Sequence, residues 1–200
     1  VLYALGFEAN VRLLPIKSVG HAALRMPARE YWLFILEGDR MVEIKNNPFY
    51  VLHVKCTANR RDIDAAVEGH SSAVDPTCYM DAHEALTSSS GRLTAEMDWF
   101  PNVSVSQMNV IRSCIQSGDL IPLDTLQGLS KLTAMQYNLS LYQFDTPEHL
   151  LSIITALDEQ FTAIKAKDIL EQINAIHRAA DIGGATVRDI ERELNRKRES

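Results

Sequence analysis

Residues 47–63 read NPFYVLHVKCTANRRDI, and from this stretch onward the chain has the pattern of successive helices. Pro48 suits the first position of a helix, because its missing N–H would have no partner there. Thr57 and Asn59 carry side-chain oxygens that can cap the helix that follows. The stretch therefore predicts a short helix, a loop and the start of a longer helix.

The longer helix and its successor are predicted to form an antiparallel pair. Apolar residues at helical spacing indicate one helix over about 59–74 and a second over about 78–88. Asp75 and Pro76 separate them, since a residue before proline avoids the helical region. A connection this short makes neighbouring helices run antiparallel. The predicted contacts between the two helices are Ile63, Val67, Ala82 and Leu86.

The C-terminal half is predicted to be helical throughout, and Trp99 and Phe100 before it are predicted to be buried, as large aromatic residues usually are. Its final helix is rich in interleaved charges, which predicts a solvated helix with i,i+4 ion pairs. The predicted helices cover about 106–116, 123–141 with a break near Gly128, 147–161, 166–180 and 186–198.

The region before residue 46 has a different pattern. Residues 31–44 read YWLFILEGDRMVEI, which is typical of two short strands around a glycine-containing turn. The sequence before them gives no sustained period. We therefore predict an all-α fold with a short β-hairpin near the N-terminus.

Composition limits the functional classes. The 200 residues carry a formal net charge of −6, which disfavours a nucleic-acid partner because duplex binding needs a basic face. The longest apolar run, Tyr31 to Leu36, is too short to span a bilayer, so no membrane partner is expected. Three scattered cysteines, Cys56, Cys78 and Cys114, are typical of a reduced, cytoplasmic protein.

Two catalytic or metal-binding constellations can be drawn, and both are weak. A metal site from His53, Cys56, Cys78 and His83 has no Cys-x-x-Cys pair and irregular spacing, so we expect no metal and no cofactor. Gly69-His70-Ser71 is faintly similar to the nucleophile elbow of hydrolases but lacks the second glycine and the preceding strand. We therefore expect that the chain is not an enzyme.

Several segments together resemble the J-domain of DnaJ-like proteins. Residues 47–63 are similar to that family's opening, in which an aromatic-x-x-Leu-Gly-Val element precedes a loop and a helix. Residues 82–87, AHEALT, resemble the family's Ala-Tyr-Glu-Val-Leu-Thr on its third helix, and residues 92–97, RLTAEM, its small closing helix. The resemblance covers about a quarter of the chain and implies a protein partner, a DnaK-type chaperone.

The resemblance fails at the family's functional signature. Its His-Pro-Asp motif should fall at Asp75, Pro76 and Thr77, of which only the proline agrees. The family's second helix is basic and engages an acidic face of the chaperone, whereas here only Arg60 and Arg61 at one end are basic. These five positions are the predicted partner-binding residues. Asp75-Pro76-Thr77 can equally be an ordinary interhelical turn, and the two arginines a solvated pair.

A narrower group of bacterial J-like proteins gives a closer resemblance. They open with Asn-Pro-Phe-x-Val-Leu, as residues 47–52 do, and end near Arg-Leu-x-Ala-Glu-x-x-Trp-(Leu/Phe)-Pro, as residues 92–101 do. Their tails resemble residues 170–180, LEQINAIHRAA. This resemblance implies a helical co-chaperone or adaptor.

The expected organisation has three parts: an N-terminal extension (1–45), a J-like domain (46–101) and a helical C-terminal domain (104–200). The alternative for the extension is that Met41 is the natural start and that residues 1–40 are read from upstream sequence. The expected function is a non-enzymatic co-chaperone or adaptor for a DnaK-type chaperone that stimulates ATP hydrolysis poorly. The alternatives are a J-like interaction module without a chaperone partner and, more remotely, a small hydrolase using His70 and Ser71.

Overall fold

The computed structural model of the chain describes residues 44–70, 76–141 and 147–199. All of them belong to one compact unit, Leu36–Ser200. A second unit, Val1–Ile35, lies wholly outside the described residues.

The described residues form helices, turns and loops and contain no strand, which confirms the all-α class for this part of the chain. The predicted β-hairpin at 31–44 lies outside the described residues, except for Ile44, which is helical. No described helix is long and apolar enough to cross a membrane.

Nine helices lie entirely within the described ranges, and each helix predicted from residue 47 onward has a counterpart among them. In chain order they are α1 (Pro48–Val51), α2 (Arg60–Gly69), α3 (Thr77–Thr87), α4 (Ser89–Met97), α5 (Val105–Ser117), α6 (Gly128–Leu141), α7 (Pro147–Ala163), α8 (Ala166–Ala179) and α9 (Val187–Glu199).

Helix α1 begins as its sequence predicts, with proline in the first turn. The side chain of Asn47 accepts a hydrogen bond from the Phe49 amide at 3.0 Å and so caps the helix. The same side chain donates to the carbonyl of Ala95 on α4 at 2.9 Å. One buried asparagine thus starts α1 and ties it to a helix 48 residues further along the chain.

A helix was predicted over 123–141 with a break near Gly128, and the structure contains the part that follows this break. The helix begins only at Gly128, whose φ of 51° is left-handed. The buried amide of Asn138 accepts from the backbone N–H of Ile121 at 2.8 Å and donates to its carbonyl at 2.9 Å. Because this side chain satisfies both backbone groups, the segment before Gly128 packs against α6 as a loop.

Two hydrophobic clusters fill the interior, and each draws residues from both sides of the predicted boundary at 101–104. The first joins Phe49, Trp99 and Phe100 with Ile111 and Ile115 of α5, and both aromatic residues are buried, as predicted. The second collects apolar residues from α4, α6, α7, α8 and α9. Its buried members are Leu93, Met97, Leu129, Leu132, Leu139, Leu157, Ile169, Ile173, Ile176 and Ile190.

Helix α9 is exposed on most sides, as predicted, but one of its faces is buried. Ile190, Glu193 and Lys197 lie on this face. Their charges are accommodated because Glu193 accepts a hydrogen bond from Thr94 at 3.1 Å and Lys197 lies 3.3 Å from Asp98. Interleaved charge alone could not reveal this face, because Thr94 lies on α4 and Asp98 directly follows it.

Candidate partner-binding surface

The predicted pair of helices is present as α2 and α3, which contact each other. Ile63, Ala82 and Leu86 are buried, and Val67 is partly buried against the same cluster, so the predicted packing is confirmed. Helix α2 is shorter than predicted and ends at Gly69. A capping box opens it, in which Asn59 and Asp62 each accept a hydrogen bond from the other's backbone N–H.

Two cross-links outside the apolar contact hold this hairpin together. His83 on α3 lies with its Nε2 2.7 Å from the carboxylate of Asp64 on α2, which accepts the hydrogen bond. At the other end of α2, the ring of His70 stacks on Tyr79 with centroids 4.4 Å apart. His83 stands where the family's motif has tyrosine, and its role here is a polar one.

The predicted partner-binding residues do not meet in one place. Arg60 and Arg61 are exposed in the first turn of α2. Pro76 and Thr77 are exposed where α3 begins, at the far end of the antiparallel pair. A helix rises 1.5 Å per residue, so α2 separates the arginines from its other end by roughly 15 Å. Asp75 lies outside the described residues.

His53 has an unusual backbone conformation. Its φ of 54° lies in the left-handed region, which favours glycine because a side chain there crowds the following carbonyl. This residue stands at the glycine of the aromatic-x-x-Leu-Gly-Val element that the sequence resembles. The chain therefore adopts at this position a geometry that suits the glycine of that element.

Arg112 on α5 holds the histidine and the end of α1. Its guanidinium donates to the carbonyl of Phe49 at 2.9 Å, to the carbonyl of Val54 at 3.3 Å and to Nδ1 of His53 at 3.0 Å. Burial, and after it the charge of Arg112, lowers the pKa of His53, which keeps the ring available as an acceptor. The guanidinium also lies over the rings of Tyr50 and Trp99.

We expect the His53→Gly variant to be more stable than the His53→Ala variant by about 1 kcal/mol. Both variants lose the imidazole, and only alanine keeps the cost of a left-handed Cβ. Urea unfolding of the two variants measures the difference. The exposed helical position Ala65 is the control, where glycine should instead cost about 1 kcal/mol. Equal stability of the two His53 variants would contradict the assigned backbone conformation.

A buried polar network missed by the sequence reasoning joins α4 to α8. Arg92 and Glu96 are 2% and 0% exposed, and their side chains are 3.0 Å apart. Nε2 of His177 lies 2.7 Å from the other oxygen of Glu96, and its Nδ1 lies 2.7 Å from the carbonyl of Gly183. A carbonyl can only accept, so Nδ1 carries a proton. Arg92 also donates to the carbonyl of Cys56.

Both ends of this network lie in segments on which the predicted J-like resemblance rests. Arg92 and Glu96 belong to the Arg-Leu-x-Ala-Glu segment, and His177 belongs to the tail segment at 170–180. The structure brings these segments into direct contact across 81 residues of sequence. Neither segment, taken alone, shows what its charged residue binds.

The candidate metal residues have other partners. His53 lies beside Arg112, and His83 pairs with Asp64. Burial raises the pKa of the Cys56 thiol to about 12, which makes it a poor nucleophile and a poor ligand. Among the described residues no group of three or more His, Cys, Asp or Glu side chains could hold a metal ion.

In the segment similar to a nucleophile elbow, Nδ1 of His70 lies 2.7 Å from the carbonyl of Ala66.

Comparison of the chain with protein-family models, with curated proteins and with solved structures gives no significant match.

Proposed function

We propose that the chain is a non-enzymatic, J-domain-like adaptor for a DnaK-type chaperone and a poor stimulator of ATP hydrolysis. The observation that carries this proposal is the order of its helices. A short helix opened by proline precedes the hairpin of α2 and α3, and the small helix α4 follows it. Pro76, which is exposed directly before α3, stands at the position of the proline in the family's motif.

Two details support the resemblance. The left-handed residue His53 stands at the glycine of the family's opening element. Glu96 and His177 join two of the three segments through which the chain resembles the bacterial J-like group. Both details concern the placement of single residues, so they add to the argument from the order of the helices.

The charge of the hairpin supports poor stimulation. Residues 59–88 contain two arginines and six acidic residues, a formal charge of −4. An acidic chaperone surface would be repelled by such a hairpin, because like charges lower both affinity and encounter rate. Asp75 takes the place of the family's histidine, and Thr77 takes the place of its aspartate, a charge-assisted acceptor.

Single-turnover ATP hydrolysis by a purified bacterial DnaK-type chaperone tests the proposal. At equal concentration the chain should accelerate hydrolysis at least about tenfold less than a J-domain with an intact His-Pro-Asp motif, since about 1.4 kcal/mol of lost contact corresponds to tenfold. Robust acceleration that is abolished by Pro76→Ala would show that Asp-Pro-Thr can replace the signature, and would contradict poor stimulation.

Binding to the same chaperone tests the adaptor role. We expect Pro76→Ala to weaken ATP-dependent binding several-fold, whereas Arg188→Ala, an exposed arginine on α9, leaves it unchanged. The second candidate is a J-like interaction module with no chaperone partner, which the negative charge of the hairpin favours. No detectable binding at about 100 μM, roughly −5.5 kcal/mol, would select this second candidate.

A further inference from the structure

His177 on α8 is enclosed between two hydrogen-bond acceptors. Its Nδ1 lies 2.7 Å from the carbonyl of Gly183, in the connection between α8 and α9, and its Nε2 lies 2.7 Å from the carboxylate of Glu96 on α4. The side chains of His177 and Glu96 are both buried, so water does not share in these contacts. The ring therefore joins the end of α8 and the connection after it to α4.

The two acceptors determine how many protons the ring and the carboxylate hold. The carbonyl of Gly183 can only accept, so Nδ1 carries a proton. An ionised Glu96 can also only accept, so Nε2 then carries a second proton and the ring is cationic. A protonated Glu96 would donate to Nε2, which places the same proton on the other side of the bond. Without this proton, lone pairs of Nε2 and of the carboxylate would face each other at 2.7 Å.

The groups packed around the pair favour the proton on the ring. Arg92 on α4 donates to the other oxygen of Glu96 at 3.0 Å, and a hydrogen bond to a carboxylate favours its ionised form. The charges of Glu96 and Arg112 both act on the thiol of Cys56, which stays neutral because burial raises its pKa to about 12. Glu193 on α9, also packed against α4, accepts hydrogen bonds from other side chains.

We propose that the contact between His177 and Glu96 is a pH-sensitive fastening of α8 to α4, which one shared proton closes and the loss of this proton opens. In an unfolded chain a histidine is mostly neutral above about pH 6.5, and a glutamate is ionised above about pH 4.3. Above about pH 6.5 the folded chain therefore holds one proton more than the unfolded chain, and its stability falls as the pH rises. Between about pH 4.3 and 6.5 both states hold this proton, so the contact makes a constant contribution to stability.

Nitrogen NMR of the imidazole rings in the full 200-residue chain tests for the shared proton without any substitution. At about pH 7.5 we expect both ring nitrogens of His177 to have the chemical shifts of protonated nitrogens. His83 is the internal comparison, because its Nε2 faces Asp64 and a neutral ring with a proton on Nε2 satisfies this contact. One nitrogen of His83 should therefore be unprotonated. An unprotonated Nε2 in His177 at this pH would overturn the proposal.

Urea unfolding as a function of pH tests the fastening itself. From about pH 7.5 to 8.5 the equilibrium constant for unfolding of the native chain should rise about tenfold more than that of His177→Gln, since one proton bound on folding corresponds to tenfold per pH unit. His83→Gln is the matched control and should follow the native chain within about twofold, because its partly exposed pair does not need a second proton. Parallel pH dependence of the native chain and His177→Gln would refute the proposal. The nitrogen shifts of the native chain decide the question if His177→Gln does not fold.

Discussion

Replacing Glu96 by alanine is expected to lower the free energy of unfolding by about 3–5 kcal/mol, the usual cost of breaking a buried ion pair from one side. The carboxylate is fully buried and contacts Arg92 through one oxygen and His177 through the other. Without it, the guanidinium loses its only acidic partner in the described chain and remains 2% exposed. The loss is therefore mainly the cost of an uncompensated buried charge.

Equilibrium unfolding in urea measures this effect. Glu84→Ala on α3 is the matched control, because that side chain is exposed, and its effect should stay within about 0.5 kcal/mol. Glu96→Gln keeps the volume and removes the charge, so it should fall between the two. If Glu96→Ala lowers the free energy of unfolding by less than about 1 kcal/mol, water reaches Arg92 and His177, and the network is hydrated.

Replacing Arg112 by alanine is expected to cost about 2–4 kcal/mol, because hydrogen bonds to charged groups contribute about 1.5–3 kcal/mol and this side chain makes several. Its guanidinium donates hydrogen bonds to the carbonyls of Phe49 and Val54. It also lies 5.8 Å from the ring centroid of Tyr50 and 5.6 Å from that of Trp99, where a cation is attracted to the ring.

Arg112→Lys separates charge from geometry. A lysine keeps the positive charge but cannot reach several acceptors with one planar group, so most of the loss should remain. The exposed Arg60→Ala is the control and should change stability by less than about 0.5 kcal/mol. Thermal unfolding followed by circular dichroism distinguishes the variants. A lysine variant as stable as the native chain would show that charge alone holds α1 in place.

The features predicted correctly from the sequence are those set by nearby residues. Asn59 caps α2, and Pro48 opens α1. The apolar spacing of Ile63 and Leu86 likewise identified which faces of α2 and α3 are buried. Caps and helical spacing act within one or two turns, so they are visible in a short window of sequence.

The features that were missed depend on residues far apart in the chain. Glu96 meets His177 across 81 residues, and Glu193 meets Thr94 across 99. The segment from residue 123 to the predicted break at Gly128 is a loop and not a helix, and there Asn138 hydrogen-bonds the backbone of Ile121. A single sequence carries no record of such pairings, since each partner alone has the character of an ordinary surface residue.

The candidate site shows a different limit. Arg60, Arg61, Asp75, Pro76 and Thr77 were predicted as one partner-binding set, and its four described members are exposed. The predicted helix that begins at Asn59 already separates the two arginines from Pro76, so the sequence indicates two ends of a hairpin and not one site.

Both hydrophobic clusters contain residues from before and after residues 101–104, and this affects how the chain unfolds. Trp99 packs with α5, and Leu93 and Met97 pack with the helices that follow. Neither the part before residue 101 nor the part after residue 104 therefore has a hydrophobic core of its own. Unfolding of one part exposes apolar surface of the other, so the two parts are expected to unfold together. Cooperativity then extends over the described chain, and partial unfolding of the J-like part alone is disfavoured.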